Sequence, residues 1–306
     1  MKLFMAPLQG YTDAPYRLFH TEVFGGADGC FSPFLRWEKG EPARRTMRDI
    51  LSPLNAETAG FVPQIIFRDA EEMRRLAGAL KAEGVDRVDL NMGCPFPPQV
   101  AKGRGAGFLL RREEMEKVAA YVAEDSSVSY SLKMRLGVDD PWQWRDVVSV
   151  LRKMPLEHVT IHPRTAREQY RGDLHLDRFE ELASAVGKPV VFNGEIHTPG
   201  ELEEVAGRWP WLHGVMAGRG LLGRPSLFRE WRDGQEWDDR RRLEGMLRLH
   251  GLLWGYYRGV LCGEAQLLAR MKSFWDYALL PHRQLKRIAK ARSEVDYEAA
   301  VRELSV

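Results

Sequence analysis

A cysteine stands just after an apolar run in the stretch Arg87–Pro95, which reads RVDLNMGCP. The run Arg87–Leu90 predicts a short buried strand, and Gly93 and Pro95 place Cys94 in a shaped loop. A loop that follows a strand is where active sites lie in barrels of alternating strands and helices, so Cys94 is a candidate catalytic residue, although a cysteine is more often a small buried apolar side chain.

Several other polar side chains fall at or near the carboxyl ends of predicted strands. They are Gln64, Asn91, Lys133, Arg135, His162, the triplet Asn193-Gly194-Glu195 and the pair Gly218-Arg219. Local hydrogen bonding readily explains any one of them. Because barrels of alternating strands and helices carry their active sites at the carboxyl ends of the strands, the shared position of these residues predicts that they converge on one mouth.

The last two of these loops contain glycine. Backbone N–H groups exposed at Gly194 and Gly218, together with the guanidinium of Arg219, are typical of a phosphate site, although ordinary glycine turns explain either loop equally well. Lys133, buried at a strand end, needs an anionic partner to offset the cost of its desolvation. These residues together favour an anionic ligand.

Runs of β-branched and aromatic residues alternate with helical patterns through most of the chain. Strands are predicted at Leu3–Met5, Gly29–Ser32, Phe61–Phe67, Arg87–Leu90, Ser129–Met134, His158–Ile161, Pro189–Phe192 and Gly214–Ala217. Helices are predicted at Ala14–Phe24, Asp69–Glu83, Arg112–Glu124, Trp142–Met154, Leu176–Val186 and from Thr198 onward, with capping boxes at Asp69/Glu72 and Thr198/Glu201. Eight strands alternating with helices predict a parallel (β/α)₈ TIM barrel. An open doubly wound sheet is the alternative, but Gln9-Gly10 stands alone where its G-x-G-x-x-G fingerprint belongs.

Strand patterns stop after Trp237. Asp238 begins a long amphipathic helix, and further helices are predicted at Glu264–Leu279, Arg283–Arg292 and Tyr297–Leu304. The sequence therefore predicts a barrel over residues 1–237 and a small helical domain over residues 238–306. Residues 239–306 hold 13 Lys and Arg against 8 Asp and Glu, which suits a polyanionic partner or, equally, a solvated helical surface.

The composition is that of an ordinary globular enzyme, with 44% hydrophobic and 29% charged residues among 306. No apolar run is long enough for a secretory signal or a membrane span, so a cytoplasmic protein is expected. Cys30, Cys94 and Cys262 are widely spaced, which favours free thiols over a disulfide framework or a metal site. We expect a monomer.

The stretch Asn91–Pro95 resembles the signature of the flavin-dependent tRNA-dihydrouridine synthases, and the resemblance covers nearly the whole chain. It implies that Cys94 is the catalytic proton donor. The FMN contacts that it implies are Pro7, Leu8, Gln9, Gln64, Lys133 and His162, with Asn193, Gly194, Glu195, Gly218 and Arg219 near the phosphate. Many members have Met-Glu where this chain has Leu8-Gln9, so a backbone role is what carries over to that loop.

The implied reaction is the NADPH-dependent reduction of a uridine in tRNA to 5,6-dihydrouridine, in which FMN gives hydride to carbon 6 and Cys94 protonates carbon 5. The target base must be turned out of the RNA, which requires backbone contacts and stacking. The expected tRNA contacts are Asn91, Arg135, Arg283, Lys286, Arg287 and Lys290. Phe34, Trp37, Phe96 and Tyr170 are candidates for stacking, and each also suits simple packing.

Two alternatives come from other classes of protein. An FMN barrel that reduces a free pyrimidine or another small enone would have a closed mouth and no basic tail. A tRNA-binding protein without catalysis would have no need of Cys94, Lys133 and the paired glycine loops. The basic tail counts against the first alternative, and the retained polar residues count against the second.

Overall fold

The strands form one parallel barrel and a small hairpin. A computed structural model describes residues 1–304. The strands are β1 (Lys2–Met5), β2 (Gly29–Phe31), β3 (Trp37–Glu38), β4 (Glu41–Pro42), β5 (Phe61–Val62), β6 (Gln64–Ile65), β7 (Arg87–Met92), β8 (Ser129–Gly137), β9 (Leu156–Thr165), β10 (Val190–Asn193) and β11 (Gly214–Ala217). All but the β3–β4 hairpin pair in parallel, in the order β5-β2-β1-β11-β10-β9-β8-β7-β6. The ends of that order, β5 and β6, are separated only by Pro63, which has no N–H for the ladder, so the sheet curls into an eight-stranded barrel with one break.

Helices follow the barrel strands, as the (β/α)₈ prediction requires, and that prediction is confirmed. They are α1 (Ala14–Val23), α2 (Arg44–Ile50), α3 (Ala70–Ala82), α4 (Pro97–Val100), α5 (Arg112–Glu124), α6 (Val148–Leu151), α7 (Leu176–Val186), α8 (Pro199–Arg208), α9 (Arg219–Gly223), α10 (Leu227–Asp233), α11 (Asp239–Val260), α12 (Glu264–Ser273), α13 (His282–Lys290) and α14 (Glu294–Arg302). Short 3₁₀ helices lie at Pro53–Glu57, Gly105–Leu110 and Gln143–Asp146. No helix within residues 1–304 combines the length and apolar character that crossing a membrane requires.

Two predicted helix starts are confirmed by their caps. At α8 the Thr198 hydroxyl accepts from the N–H of Glu201, whose carboxylate accepts from the N–H of Thr198, and Pro199 occupies the first turn. At α11 the Asp238 carboxylate accepts from the N–H of Arg241. Each cap satisfies backbone donors that the first helical turn leaves without partners.

The capping box predicted at α3 is only half correct. The Asp69 carboxylate accepts from the N–H of Glu72 at 2.7 Å, as predicted. The Glu72 carboxylate, however, accepts from the N–H of Arg68 and forms a buried ion pair with Arg104. The local pattern assigned the Glu72 carboxylate to the helix cap, but that carboxylate is engaged by Arg104, from a loop distant in sequence.

The single helix predicted at Trp142–Met154 is wrong. A 3₁₀ helix covers Gln143–Asp146, and α6 follows as one short turn. The Gln143 side chain accepts from the N–H groups of Val138 and Asp139, which shapes a tight turn ahead of the helix. The β-branched residues of the following segment, Val147, Val148 and Val150, are weak helix formers.

The helical tail packs against the loop between β1 and α1. The Tyr257 hydroxyl donates to Asp13 at 2.7 Å, and Arg270 pairs with the same carboxylate at 2.6 Å. The Tyr11 hydroxyl donates to Asp276 at 2.9 Å. The larger of two apolar clusters extends from the barrel into α11, α12, α13 and α14. Because the β1–α1 loop lies at the carboxyl ends of the strands, the tail sits beside the barrel mouth.

Candidate active site

A cleft with a cavity volume of about 150 Å³ opens at the carboxyl ends of the barrel strands. Its lining comprises Ala6, Pro7, Leu8, Gln9, Phe34, Asn91, Gly93, Cys94, Pro95, Lys133, Arg135, His162, Tyr170, Asn193, Gly194, Glu195, Gly218 and Arg219. The structure thus brings together most of the residues selected from strand ends. The predicted residues outside this lining are Gln64, Trp37, Phe96, Arg283, Lys286, Arg287 and Lys290.

Cys94 lies in the loop after β7 and is held through its backbone. The side-chain oxygen of Asn91 accepts from the N–H groups of Gly93 at 3.1 Å and of Cys94 at 2.9 Å. The Cys94 carbonyl accepts from the N–H of Ala106 at 3.1 Å. At Gly105, where φ is +56°, a Cβ would lie 2.7 Å from the Cβ of Cys94. Only glycine allows the loop to close so tightly on the thiol.

Two buried arginines anchor the same loop. The Arg135 guanidinium donates to the carbonyls of Gly93 at 3.1 Å and Thr165 at 2.9 Å, so β8 and β9 hold the loop that follows β7. Further along the loop, Arg104 forms its ion pair with Glu72 of α3. Arg135 was expected to contact tRNA, and its side chain is only 1% exposed beneath the mouth. These contacts fix where Cys94 lies relative to the cleft.

The thiol of Cys94 is protonated at neutral pH. Burial raises its pKa above the ordinary value, and the smaller effects of a hydrogen bond from the Phe96 backbone and of the Arg135 and Lys133 charges oppose that rise. A nucleophilic cysteine would need the opposite shift. The environment of Cys94 therefore suits an acid that donates a proton.

The cleft is electropositive. Burial, and then the charge of Arg135, lowers the pKa of Lys133 to about 8, and Lys133 makes no ion pair or hydrogen bond with any residue from 1 to 304. Burial also lowers the pKa of His162 well below its usual value, and the nearby positive charges of Arg135, Lys133, Arg164 and Arg219 lower it further. His162 is therefore neutral at physiological pH. The charge of the buried Asp89 carboxylate only partly offsets these positive charges, so the cleft is suited to an anionic ligand.

Glu195 forms ion pairs with several basic side chains at the cleft. It pairs with Arg164 at 2.5 Å, with Arg219 at 2.6 Å and with His197 at 3.1 Å. The His197 hydrogen bond, and after it the Arg164 hydrogen bond and the charges of both arginines, lowers the pKa of Glu195 to about 2 against the opposing effect of burial. Arg219 also lies over the Tyr170 ring, with 4.4 Å between the guanidinium carbon and the ring centroid. Glu195 therefore orients the side chains of Arg164, Arg219 and His197.

Asn193 and Gln64 use their amides inside the protein. The Asn193 amide donates to the Met216 carbonyl at 2.8 Å and ties β10 to β11. Gln64 is fully buried and bonds to Asn91 and to Asp89, each at 2.7 Å. Asp89 did not emerge from the sequence as a site residue. Its position, as a charged residue in the middle of an apolar strand, could have indicated a role in the site.

The basic residues selected in the tail lie along α13. Arg283, Lys286, Arg287 and Lys290 recur at helical spacing and are exposed, whereas Ile288 on the same helix is buried. Arg287 pairs with Glu303 of the chain terminus. No ion pair involves Arg283, Lys286 or Lys290 in the part of the chain from 1 to 304.

A protonated thiol beside a cationic cleft, at the carboxyl ends of a parallel barrel, is the arrangement of a barrel enzyme whose cleft suits an anionic ligand. The model of the dihydrouridine synthase family matches residues 4–249. The chain belongs to the dihydrouridine synthase family.

Curated relatives agree with this assignment. The tRNA-dihydrouridine(16) synthase of Cupriavidus necator is 30% identical over 94% of this chain and 93% of its own. The tRNA-dihydrouridine(16) synthase of Ralstonia nicotianae is 32% identical over 74% of this chain and 71% of its own. Among solved structures, morphinone reductase superposes with a TM-score of 0.51 and 12% identity, covering 78% of this chain and 87% of its own. That structural likeness extends to the barrel fold alone.

Proposed function

We propose that this protein is a tRNA-dihydrouridine synthase that reduces a uridine of tRNA to 5,6-dihydrouridine, with FMN as its cofactor and NADPH as its reductant. The observation that carries the proposal is the half-buried thiol of Cys94, protonated at neutral pH, in a cleft that is also lined by Lys133 and Arg135. Family membership and the names of the curated relatives support the same reaction.

The chemistry of the cleft suits FMN. A flavin mononucleotide carries a phosphate dianion, and Arg219 with the backbone of Gly194 and Gly218 would hold it. Lys133 would lie against the flavin ring, and the backbone of residues 7–9 would bound the ring on another side. When bound, FMN supplies the hydride that carbon 6 of uracil accepts.

The residues of the chain supply the proton and the geometry. Cys94 would give its proton to carbon 5, and the resulting thiolate would be stabilised by the charges of Arg135 and Lys133. Asn91 and Arg135 hold the loop of Cys94 in place, so the acid is already oriented when the base arrives. Tyr170, which is 46% exposed at the rim, would stack on an extruded base.

The RNA would be bound by the helical region, residues 238–306, while residues 1–237 would form the catalytic unit. The tail lies beside the mouth through Asp13, Tyr257 and Arg270, so RNA held there would reach the cleft. We place the protein in the cytoplasm as a monomer, where tRNA is its partner.

The direct test is to supply purified, FMN-loaded protein with NADPH and tRNA that lacks dihydrouridine, and to measure dihydrouridine in the digested RNA. Free uridine and a small cyclic enone are tested in parallel. Dihydrouridine in tRNA, with little turnover of the small molecules, is expected. Reduction of the enone without any dihydrouridine in tRNA would establish the alternative small-molecule reductase.

Arg219→Ala is expected to weaken FMN binding by about 10- to 150-fold, because a charge-assisted contact contributes roughly 1.5–3 kcal/mol. Titration of the apoprotein with FMN, followed by flavin fluorescence, measures the change. Arg208→Ala is a matched control, since Arg208 pairs with Glu180 and lies 4.7 Å from the centroid of the Trp209 ring, away from the cleft. Equal affinities for the two variants would mean that the phosphate binds elsewhere.

A further inference from the structure

A chain of buried polar side chains leads from the middle of β7 to the Cys94 loop. The hydroxyl of Ser131 donates to Oδ1 of Asp89 at 2.6 Å, and Nε2 of Gln64 donates to Oδ2 at 2.7 Å. Nδ2 of Asn91 donates to Oε1 of Gln64 at 2.7 Å, and Oδ1 of Asn91 accepts from the N–H of Cys94 at 2.9 Å. The four side chains in this series are each at most 7% exposed; they belong to Ser131, Asp89, Gln64 and Asn91. We call this series, from Asp89 through Gln64 to Asn91, the Asp89 relay.

We propose that Asp89 fixes the direction of every hydrogen bond in this relay, and that Asp89 and Gln64 are thereby positioning residues for the Cys94 thiol. Neither residue lines the cleft. Their effect on the thiol would pass through Asn91, which touches the backbone of Cys94. The role of the thiol rests on the proposed function, whereas the direction of the relay is a matter of hydrogen-bonding chemistry alone.

The direction starts at Asp89 because a carboxylate only accepts hydrogen bonds. Gln64 must turn its NH₂ group toward Asp89, so its carbonyl oxygen faces Asn91. Asn91 must in turn present its NH₂ group to that oxygen, which leaves its own carbonyl oxygen for the loop. A neutral amide at each position has one donor end and one acceptor end, so a single fixed end orients the whole series.

The loop end of the relay requires the same direction. The N–H groups of Gly93 and Cys94 both point at the side chain of Asn91 and need an acceptor there. A reversed Asn91 would place its NH₂ group against two other donors, and a reversed Gln64 would place its oxygen against the Asp89 carboxylate. In either reversed arrangement, buried donors or acceptors lose their hydrogen bonds, and water cannot reach them to replace those bonds. Both ends of the relay thus select one arrangement.

The test reverses the relay and then restores it. Asn91→Asp puts an acceptor against Gln64, which must then turn its NH₂ group toward position 91 and its oxygen toward the Asp89 carboxylate. Adding Asp89→Asn supplies an NH₂ donor for that oxygen and completes the reversed series. Adding Asp89→Leu instead removes the same negative charge without supplying a donor. The FMN-loaded full-length variants are compared at pH 8 by thermal unfolding and by hydrogen exchange at the amides of Gly93 and Cys94.

Asn91→Asp is expected to lower the unfolding midpoint by about 3–8 °C and to speed exchange at the two amides about tenfold. With Asp89→Asn added, both values return close to those of the Asp89→Asn single variant. With Asp89→Leu added, neither value recovers. Recovery with leucine as well as asparagine would mean that Asp89 acts only as a charge, and no recovery with asparagine would overturn the relay.

The link to catalysis is tested with Asp89 alone. Asp89→Leu is expected to slow dihydrouridine formation at saturating tRNA by about tenfold or more, because a small misplacement of the acid is costly, and Asp89→Asn should retain most of the rate. Equal rates for the two variants would remove the positioning role. A wild-type protein that makes no dihydrouridine would overturn the proposed function, and the unfolding measurements would still decide the direction of the relay.

Discussion

Cys94→Ala is expected to slow dihydrouridine formation by about 10²- to 10⁴-fold, the usual contribution of a positioned general acid. Hydride delivery to carbon 6 leaves enolate-like charge on the base, which is resolved only when carbon 5 receives a proton. Burial raises the pKa of the Cys94 thiol, so the proton is present at neutral pH. No step before that protonation uses the thiol, so FMN binding and flavin reduction by NADPH should stay at wild-type values.

Cys94→Ser separates acidity from volume. A serine hydroxyl is similar in size and is a far weaker acid than a thiol, so this variant should be nearly as slow as Cys94→Ala. If occupying the space beside Gly105 were the only role of the side chain, serine would restore the rate. Cys262→Ser is the matched control, because Cys262 is an exposed free thiol in the tail.

Single-turnover absorbance in the oxidised-flavin band measures the effect. The enzyme is reduced with one equivalent of NADPH, and reoxidation by tRNA is followed without oxygen, with dihydrouridine assayed in the same samples. Reoxidation by tRNA should be slow in both Cys94 variants and normal in Cys262→Ser. A Cys94 variant that forms dihydrouridine at the wild-type rate would leave the thiol as a small packing group and require another acid.

The barrel could be predicted because the sequence patterns that define its strands and helix caps are local. Val190-Val-Phe192 and Gly214–Ala217 are short apolar runs bounded by loop residues, and the caps at Thr198 and Asp238 are read within four residues. The ends of β8 and β9 were placed too early, since Arg135 and His162 lie within these strands. Side chains that point into a barrel mouth are polar, so they end the apolar pattern before the backbone pairing ends.

The partners of the site residues were not predictable, because each pair is joined only by the fold. Glu72 and Arg104 are 32 residues apart, and the local pattern at Asp69 gave Glu72 a different partner. Glu195 was expected at the phosphate, yet its oxygens are engaged by Arg164, Arg219 and His197. Residue types therefore indicated which positions line the mouth, whereas their hydrogen bonds required the structure.

Arg283→Gln, Lys286→Gln and Lys290→Gln together are expected to weaken tRNA binding and to reduce its dependence on salt. These three cations are exposed on α13 and make no ion pairs within residues 1–304. Each lost phosphate contact lowers the slope of log affinity against log salt by about 0.7–0.9, so the triple variant should lose about 2–3 units of slope. Arg287→Gln should add less than any of the three, because Glu303 already neutralises Arg287.

The matched control removes three lysines from the amino ends of strands, on the face of the barrel opposite the mouth. Lys2 begins β1, whereas Lys153 and Lys188 lie two or three residues before β9 and β10. Replacing the three with Gln changes the net charge by the same amount. Filter binding of unmodified tRNA at a series of salt concentrations compares the two triple variants, with flavin reduction by NADPH as the check that the barrel is intact. Long-range charge alone would flatten the salt dependence of both variants equally. A loss of slope confined to the α13 variant would place the phosphates on the helix beside the mouth, because only direct contacts release counterions from the RNA.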